Sequence, residues 1–489
     1  RAQVRRLLPK GETVVYGLST VLGRLLNFLL PPLFTHLLSP SDNGVIATTY
    51  AYVAFLTVVF GLGLDTAYLR LGRKEGKADP RAFSTAFWAV AGASVFFAAL
   101  ITAAAEGLAP FVDAPASVLR CAAWILALDA VASLPFAELR GAQRASAYAS
   151  IRLTGLALNL VLCWFFVARM GLGVTGVFLA NLMASSLSLA LLIPVLLRRV
   201  TGGPEAALLR PMLAFALPLI PAGLASIAVN VVDRPILGLY YDSAVVGVYS
   251  ASYKLGILMM LVVTMFDQAW KPFFLQRAGQ PGLDALMARV LTYFTAGAAW
   301  VFLAVALLAA PAVTAPLFAG RPLIHPLFWG GLSIVPIVTF GYLLAGLYYV
   351  MLAPLMIAGR TGGVAVATAC GAAVNLLSLL LLVPRWGMLG AAWATAAAYG
   401  AMALAVFVQG RRAHPVPYEW GRVAVVAAWT AGLFALGSRL PVAARVLCVA
   451  VYPAGLALGR FLAPDELAEV RALLSARASR SAPRAPDAG

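Results

Sequence analysis

Long apolar runs separated by short polar turns fill this chain from end to end. A helix that crosses a bilayer needs about 20 consecutive apolar residues, and fourteen stretches meet that condition. In the first half they are Val14–Leu38, Gly44–Leu69, Ala82–Ala105, Val118–Leu139, Tyr148–Val167 and Val174–Leu197. In the second half they are Met212–Val232, Ala244–Phe266, Val290–Ala312, Leu327–Leu352, Gly363–Val383 and Met388–Val408, followed by Trp420–Gly437 and Ala443–Leu462. The pattern predicts an all-α polytopic membrane protein with about 14 transmembrane helices.

The pattern also repeats. Gly44-Val45 followed by Tyr50 returns as Gly247-Val248 followed by Tyr253. Arg144, Gly155, Asn159 and Leu160 return as Arg360, Gly371, Asn375 and Leu376, each 216 positions on. Gly173, Gly176 and Ala180 return as Gly387, Gly390 and Ala394. A duplicated hydrophobic half predicts two pseudo-symmetric six-helix lobes around a central path, which is a transporter's architecture. The expected layout is a cytoplasmic N-terminal segment (1–13), an N-lobe (14–199), a C-lobe (200–410), two extra transmembrane helices (411–463) and a cytoplasmic tail (464–489). In that tail Pro464-Asp465 reads as a helix cap, with Leu467, Val470 and Leu474 on one face of a short surface helix.

Composition agrees: 62% of residues are hydrophobic and 11% charged, where a soluble protein carries roughly 25% charge. The net charge of +17 would favour nucleic acid on a soluble protein. Here no soluble basic domain exists, and the excess of Lys and Arg in cytoplasmic loops explains it better. With the N-terminus inside, 26 of the 36 basic residues fall on the cytoplasmic side, 6 outside and 4 within spans. Both termini are therefore expected in the cytoplasm, with no nucleic-acid partner. Outer loops hold about a dozen residues at most, near 106–117 and 314–325, which leaves no room for an outer domain. Cys121, Cys163, Cys370 and Cys448 lie in apolar runs without metal or redox spacing, and His36, His325 and His414 read as polar caps. Neither a metal site nor a disulfide is expected.

Gly171-Leu172-Gly173-Val174-Thr175-Gly176 matches GxGxxG in form but lies between two spans, so it reads as a tight helix–helix turn rather than a dinucleotide loop. No Walker loop, HExxH, GxSxG or catalytically spaced carboxylate pair occurs. The chain is expected to be neither an enzyme nor an ATP motor.

Polar residues within spans carry the remaining signal, since Arg or Asp at a helix centre costs about 2.5–3.5 kcal/mol on insertion scales. Arg24, Asp129, Arg152, Asn159, Asn181, Asn230, Lys254 and Asn375 lie deepest, with Asp65 toward the inner end of the second span. Asn159 and Asn375 also fit structural bonds between helices. Arg152 and Lys254 have stems long enough to snorkel. Asp129 suits an ion site or a buried salt bridge equally. Asp233 and Arg234 are adjacent, so on a helix they are expected to make contacts in different directions, or to mark a broken end beside Pro235. Cations in a central cavity suit a diphosphate, to which Arg offers bidentate geometry. Arg24, Arg234, Lys254 and Arg152 are thus candidate headgroup ligands. Asp129, Asp65 and Asp233 are candidate sites for Na+ or H+ as coupling ion, with no other cofactor.

Four motifs add a resemblance. Pro31-Pro32-Leu33-Phe34-Thr35-His36-Leu37-Leu38-Ser39-Pro40-Ser41-Asp42-Asn43-Gly44 resembles the first loop of polysaccharide-export flippases. Gly61-Leu62-Gly63-Leu64 with Arg70 is similar to their second-helix ending. Asp233-Arg234-Pro235-Ile236-Leu237, then Gly247-Val248-Tyr249-Ser250 and Tyr253-Lys254-Leu255, resembles their seventh-to-eighth helix signature, and Trp270-Lys271-Pro272-Phe273 follows in place. The resemblance, over about residues 7–408, is to the multidrug/oligosaccharidyl-lipid/polysaccharide exporter superfamily. It implies two lobes forming a V, alternating access in a bacterial cytoplasmic membrane, and a cavity passing an undecaprenyl-diphosphate-linked oligosaccharide headgroup while the polyprenyl tail stays in membrane lipid. Polysaccharide polymerase machinery is then a downstream partner. In the lipid II flippase branch an Arg of the first helix engages the diphosphate, and Arg24 sits comparably. That branch's sodium site is matched by Asp233, Asn375 and Thr395, but its acidic ligand of helix eleven has no counterpart near Ser378-Leu379. Lipid II flipping for peptidoglycan synthesis and drug/cation antiport stand as alternatives within the superfamily. A membrane polymerase or glycosyltransferase fits less well, because the outer loops are short.

Overall fold

The computed structural model of the protein describes residues 30–458 apart from 75–76 and 317–319. Most of the first expected span, including Arg24, and the tail with its expected surface helix lie outside the described residues. What remains of the first span is α1 (Leu30–Leu37). The N-lobe continues through α2 (Pro40–Gly61) and α3 (Leu64–Leu71), joined by left-handed Leu62 and Gly63. It is completed by α4 (Pro80–Val112), α5 (Ala116–Gly141), α6 (Ala145–Trp164), which ends in a π-turn at Phe165–Arg169, and α7 (Gly173–Arg199). A two-strand hairpin, Arg73–Lys74 against Lys77–Ala78, precedes α4.

In the C-lobe the first passage is interrupted: α8 (Ala206–Ala216), α9 (Leu219–Val231) and α10 (Asp233–Tyr240). Then come α11 (Ser243–Gln276), α12 (Leu283–Thr314), a 3-10 segment Pro326–Ile334 leading into α13 (Val335–Met351) and α14 (Ala353–Ile357), and α15 (Thr361–Ala413). The extra helices are α16 (Trp420–Gly437) and α17 (Val442–Leu458). Among the described residues ten helices are long and apolar enough to cross a membrane, and α8 with α9 forms a further passage bent by 42°. At 1.5 Å per residue, the 53 residues of α15 would span about 80 Å, more than twice a hydrocarbon core. Two expected passages are joined there, and they fold against each other at Gly387, whose φ of 52° and ψ of −126° lie outside helical space. The protein is a multi-pass helical membrane protein.

The helices overrun the apolar stretches that mark them. α4 continues to Val112, so the turn to α5 is confined to Asp113–Pro115 rather than the expected dozen residues. Hydropathy reports where lipid begins, not where backbone hydrogen bonding ends.

The duplication is visible in backbone geometry. Ser39 (φ −67°, ψ 161°) caps α2 by accepting from the Asp42 N–H, while Asp242 (φ −70°, ψ 164°) caps α11 by accepting from Val245. Arg144 and Arg360 precede α6 and α15 with the same φ of −87°, each after a left-handed residue, Gln143 or Gly359. Gly173 and Gly387, the repeat-related pair, have φ of 55° and 52°. The GxGxxG stretch is thus the α6–α7 turn, and its counterpart is the bend of α15. A β-carbon at Gly387 would be held in a conformation open essentially to glycine alone. Gly387→Ala is expected to cost about 1–3 kcal/mol, read as a lowered Tm in detergent; an unchanged Tm would show that the bend does not depend on glycine.

The lobes meet where α2 crosses α11. A β-carbon at Gly44 would overlap the Ser243 carbonyl, and one at Gly247 would overlap the Pro40 carbonyl. At the same end Ser243 donates to the Asp113 carboxylate, and His36 stands edge-on to His325, with ring centroids 5.6 Å apart.

Candidate functional site

Beneath this crossing lies a cavity of about 380 Å3 whose wall includes Phe34, Asn43, Tyr50, Arg234 and Lys254. Its cationic side is built by the interruption between α9 and α10. Asp233 is 2% exposed and accepts hydrogen bonds from the Tyr249 hydroxyl (2.6 Å) and from Arg234 Nη1 (2.7 Å). This corrects the expectation of contacts in different directions, while the alternative, a broken helix end beside Pro235, is what the structure has: α9 stops at Val231 and α10 starts at Asp233. Neighbouring side chains leave a helix about 100° apart, but the Arg stem is long enough to fold back onto its neighbour's carboxylate. Arg234 Nη1 also donates to the Asn230 carbonyl at 2.6 Å, and the guanidinium lies 4.3 Å from the centre of the Tyr253 ring. Tyr342 donates to the Tyr253 hydroxyl at 3.2 Å, and Tyr399 to Asn230 Oδ1 at 2.8 Å. Arg234 is therefore held by one carboxylate, one carbonyl and an aromatic face, with its position fixed before any ligand arrives.

A second cavity, of about 730 Å3, opens inside the N-lobe between α5, α6 and α7. Three expected site residues are brought together on its walls. Asp65 pairs with Arg140 at 3.5 Å, Arg152 lies over the Phe136 ring at 4.8 Å, and Asp129 has Ser185 and Arg152 within electrostatic reach. Asn159 and Asn181 line both cavities and join them into one polar path. Asn181 Nδ2 donates to the Tyr50 hydroxyl at 2.9 Å.

Asn375 and Thr395 stand elsewhere. Each is 1% exposed; the Asn375 amide has no hydrogen-bond partner among the described residues, and Thr395 donates to the Ala391 carbonyl at 3.3 Å. No hydrogen bond among the described residues joins either to Asp233, whose oxygens meet Arg234 and Tyr249. No cluster of three or more His, Cys, Asp or Glu is present among the described residues.

Two features were absent from the sequence reading. The tyrosines around Arg234 have no place at the site in that reading: Tyr249 and Tyr253 stand in the helix signature, and Tyr253 in the repeat, without that role, although their spacing puts them on one helix face. Glu138, 2% exposed, accepts from Tyr68 at 2.5 Å and Arg73 at 2.7 Å and pairs with Arg199 at 2.6 Å. It ties the end of α5 to α3, the hairpin and the end of α7. A lone acid near a span end among several basic residues is the signal that marks it.

The sequence pattern of the family described as "Polysaccharide biosynthesis protein" matches residues 33–324. No curated protein matches the chain in sequence. Among solved structures, the chain is similar to one described as lipid II flippase MurJ in an inward closed conformation, with a TM-score of 0.70 and 14% identity over 90% of this chain and 97% of that one. It is also similar to an inward-facing multidrug resistance MATE family transporter of the MOP superfamily, with a TM-score of 0.67 and 14% identity over 83% of this chain and 96% of that one. An outward-facing MATE family transporter gives a TM-score of 0.58 at 14% identity over 85% and 96% of the two chains. At such identity these likenesses establish the fold.

Proposed function

The chain belongs to the polysaccharide biosynthesis protein family, and from that premise we propose that it is a flippase carrying polyprenyl-diphosphate-linked oligosaccharide across the bacterial cytoplasmic membrane by alternating access. The observation that carries this reading is the polar path formed by the joined cavities, bounded by apolar helices, with Arg234 and Lys254 at the lobe junction. A diphosphate entering that junction exchanges hydration for two cations, one of which is already oriented by Asp233. The distribution of basic residues supports an orientation with both termini in the cytoplasm and the α2–α11 crossing at the outer face. The arrangement then has its outer end closed. Arg24, in the first span, is a further proposed diphosphate ligand. The chain acts as a transporter rather than an enzyme, and the product passes to polysaccharide polymerase machinery.

Coupling is assigned to Asp129. Asp233 is engaged by Arg234 and Asp65 by Arg140, whereas Asp129 forms no ion pair among the described residues and opens onto the cleft. The test is flipping of fluorescent polyprenyl-diphosphate oligosaccharide in proteoliposomes under imposed Na+ or H+ gradients, with lipid II and a cationic drug as competing cargoes. Flipping of the oligosaccharide lipid by the wild type supports the reading; transport of only lipid II or only the drug replaces it. Asp129→Asn is expected to abolish the gradient dependence, and an unaltered dependence removes Asp129 from coupling.

A further inference from the structure

The two lobes are copies, yet one is hollow where the other is filled. Their correspondence can be fixed from repeat-related glycines. A β-carbon at Gly155 would strike Ser188, and one at Gly371 would strike Met402; the Ala184 and Ala398 carbonyls stand beside them in the same way. Ser188 therefore corresponds to Met402, and along the same helices Ser185 corresponds to Tyr399, Asn181 to Thr395 and Asn159 to Asn375. In the C-lobe Tyr399, Met402, Thr395 and Asn375 are all buried, and Tyr399 and Met402 lie within one large apolar core. Their N-lobe counterparts line the cleft of about 730 Å3, and the N-lobe core is divided into separate clusters around it.

The chemistry of the two joined cavities also differs. The junction cavity presents Lys254 beside Arg234, and although Asp233 pairs with Arg234 from behind the wall, Lys254 leaves the charge there positive, which suits an anion. In the N-lobe cleft the charges of Arg140 and Arg152 are matched in number by Asp65 and Asp129 on the same walls, with Arg140 and Asp65 in direct contact, so the wall carries no net charge. What distinguishes its wall is short hydroxyls, Thr57, Ser133, Ser185 and Ser188, added to the shared amides of Asn159 and Asn181. Such groups donate to and accept from neutral hydroxylated ligands without selecting charge. The volume falls in the range of roughly 300–1,000 Å3 that encloses one small ligand.

Resting on the flippase reading above, we infer that the N-lobe cleft is the chamber for the glycan of the transported lipid, distinct from the cavity that takes its diphosphate. The two copies share a scaffold, and serine on α7 where α15 carries Tyr399 and Met402 leaves the space open. The chamber sets an upper limit on the glycan that can pass.

The test refills the chamber with the C-lobe's own residues. Ser185→Tyr and Ser188→Met are assayed in proteoliposomes with polyprenyl-diphosphate carriers bearing a single sugar or a tetrasaccharide. Flipping of the tetrasaccharide carrier is expected to fall roughly tenfold more than that of the single-sugar carrier, the scale of steric discrimination in a pocket. Equal loss with both carriers, or no loss, overturns the chamber. A wild type that flips neither carrier overturns the flippase reading instead. If the larger side chains prevent folding, Ser185→Ala with Ser188→Ala removes the hydroxyls without adding volume. The concentration for half-maximal flipping should then rise more for the tetrasaccharide carrier than for the single-sugar one, and an equal rise counts against the chamber.

Discussion

Arg234→Ala is expected to destabilise the protein by about 3–5 kcal/mol, because it leaves Asp233 as a buried carboxylate without its cation. The argument rests on geometry. Asp233 is 2% exposed, and its Oδ1 meets the guanidinium at 2.7 Å while Oδ2 accepts from Tyr249 at 2.6 Å. Removing the guanidinium costs the pair and also frees the Asn230 carbonyl that accepts from Nη1. The double variant Asp233→Asn with Arg234→Gln is expected to recover much of this loss, since two neutral amides need no counter-charge. Thermal unfolding in detergent measures both. Equal Tm for wild type, single and double variants would show that the pair carries no coupling. Transport separates the roles further: the double variant should fold yet flip poorly, having lost a diphosphate ligand. Full flipping by the double variant would remove Arg234 from the substrate path.

The second large effect is expected at the lobe crossing. Gly247→Leu puts a side chain where the Pro40 carbonyl already lies, and backbone cannot yield as a side-chain tip can. Overpacking of this kind costs about 1–3 kcal/mol and sometimes more. That cost falls only on the state in which α2 and α11 touch. A differential of that size shifts a two-state equilibrium roughly 5–150-fold, so the variant should populate the state open at this end and flip slowly. Cysteines placed at Pro40 and Ser243 report the result directly. Their oxidative cross-linking should be readily obtained when Gly247 is retained and strongly reduced in the Gly247→Leu variant. Undiminished cross-linking would mean that the crossing tolerates the side chain.

Much of this molecule is legible without coordinates. The passages follow from apolar runs, and the duplication follows from Gly44 with Gly247, Gly155 with Gly371 and Gly173 with Gly387. These glycines are readable because each answers a local demand: a positive φ at 173 and 387, or a close approach at 44, 155, 247 and 371. The candidate residues of the N-lobe were also recognisable one by one, since Asp65, Asp129 and Arg152 are costly in a membrane and need a reason. Their convergence on one cleft was not legible. Residues on α3, α5 and α6 share it because of how three helices are rotated about their axes, and hydropathy holds no record of that angle. At Asp233–Arg234 the broken helix end was legible but the contact between the two side chains was not: helical wheel geometry places backbones, and a long side chain can curl back.

The sequence by itself determined the helical membrane class, the two lobes, the turns at Gly173 and Gly387, and the set of polar residues needing partners. All of these depend on interactions within a few residues or on the periodicity of apolar side chains. The tertiary structure alone decided which polar groups meet: Glu138 with Tyr68, Arg73 and Arg199, Tyr399 with Asn230, and Asn159 and Asn181 at the join of two cavities. It also decided that equivalent positions line a cleft in one lobe and a packed core in the other. Those outcomes come from long-range packing, in which the volume of Met402 or Tyr399 against a neighbouring helix is settled only when the helices are brought together.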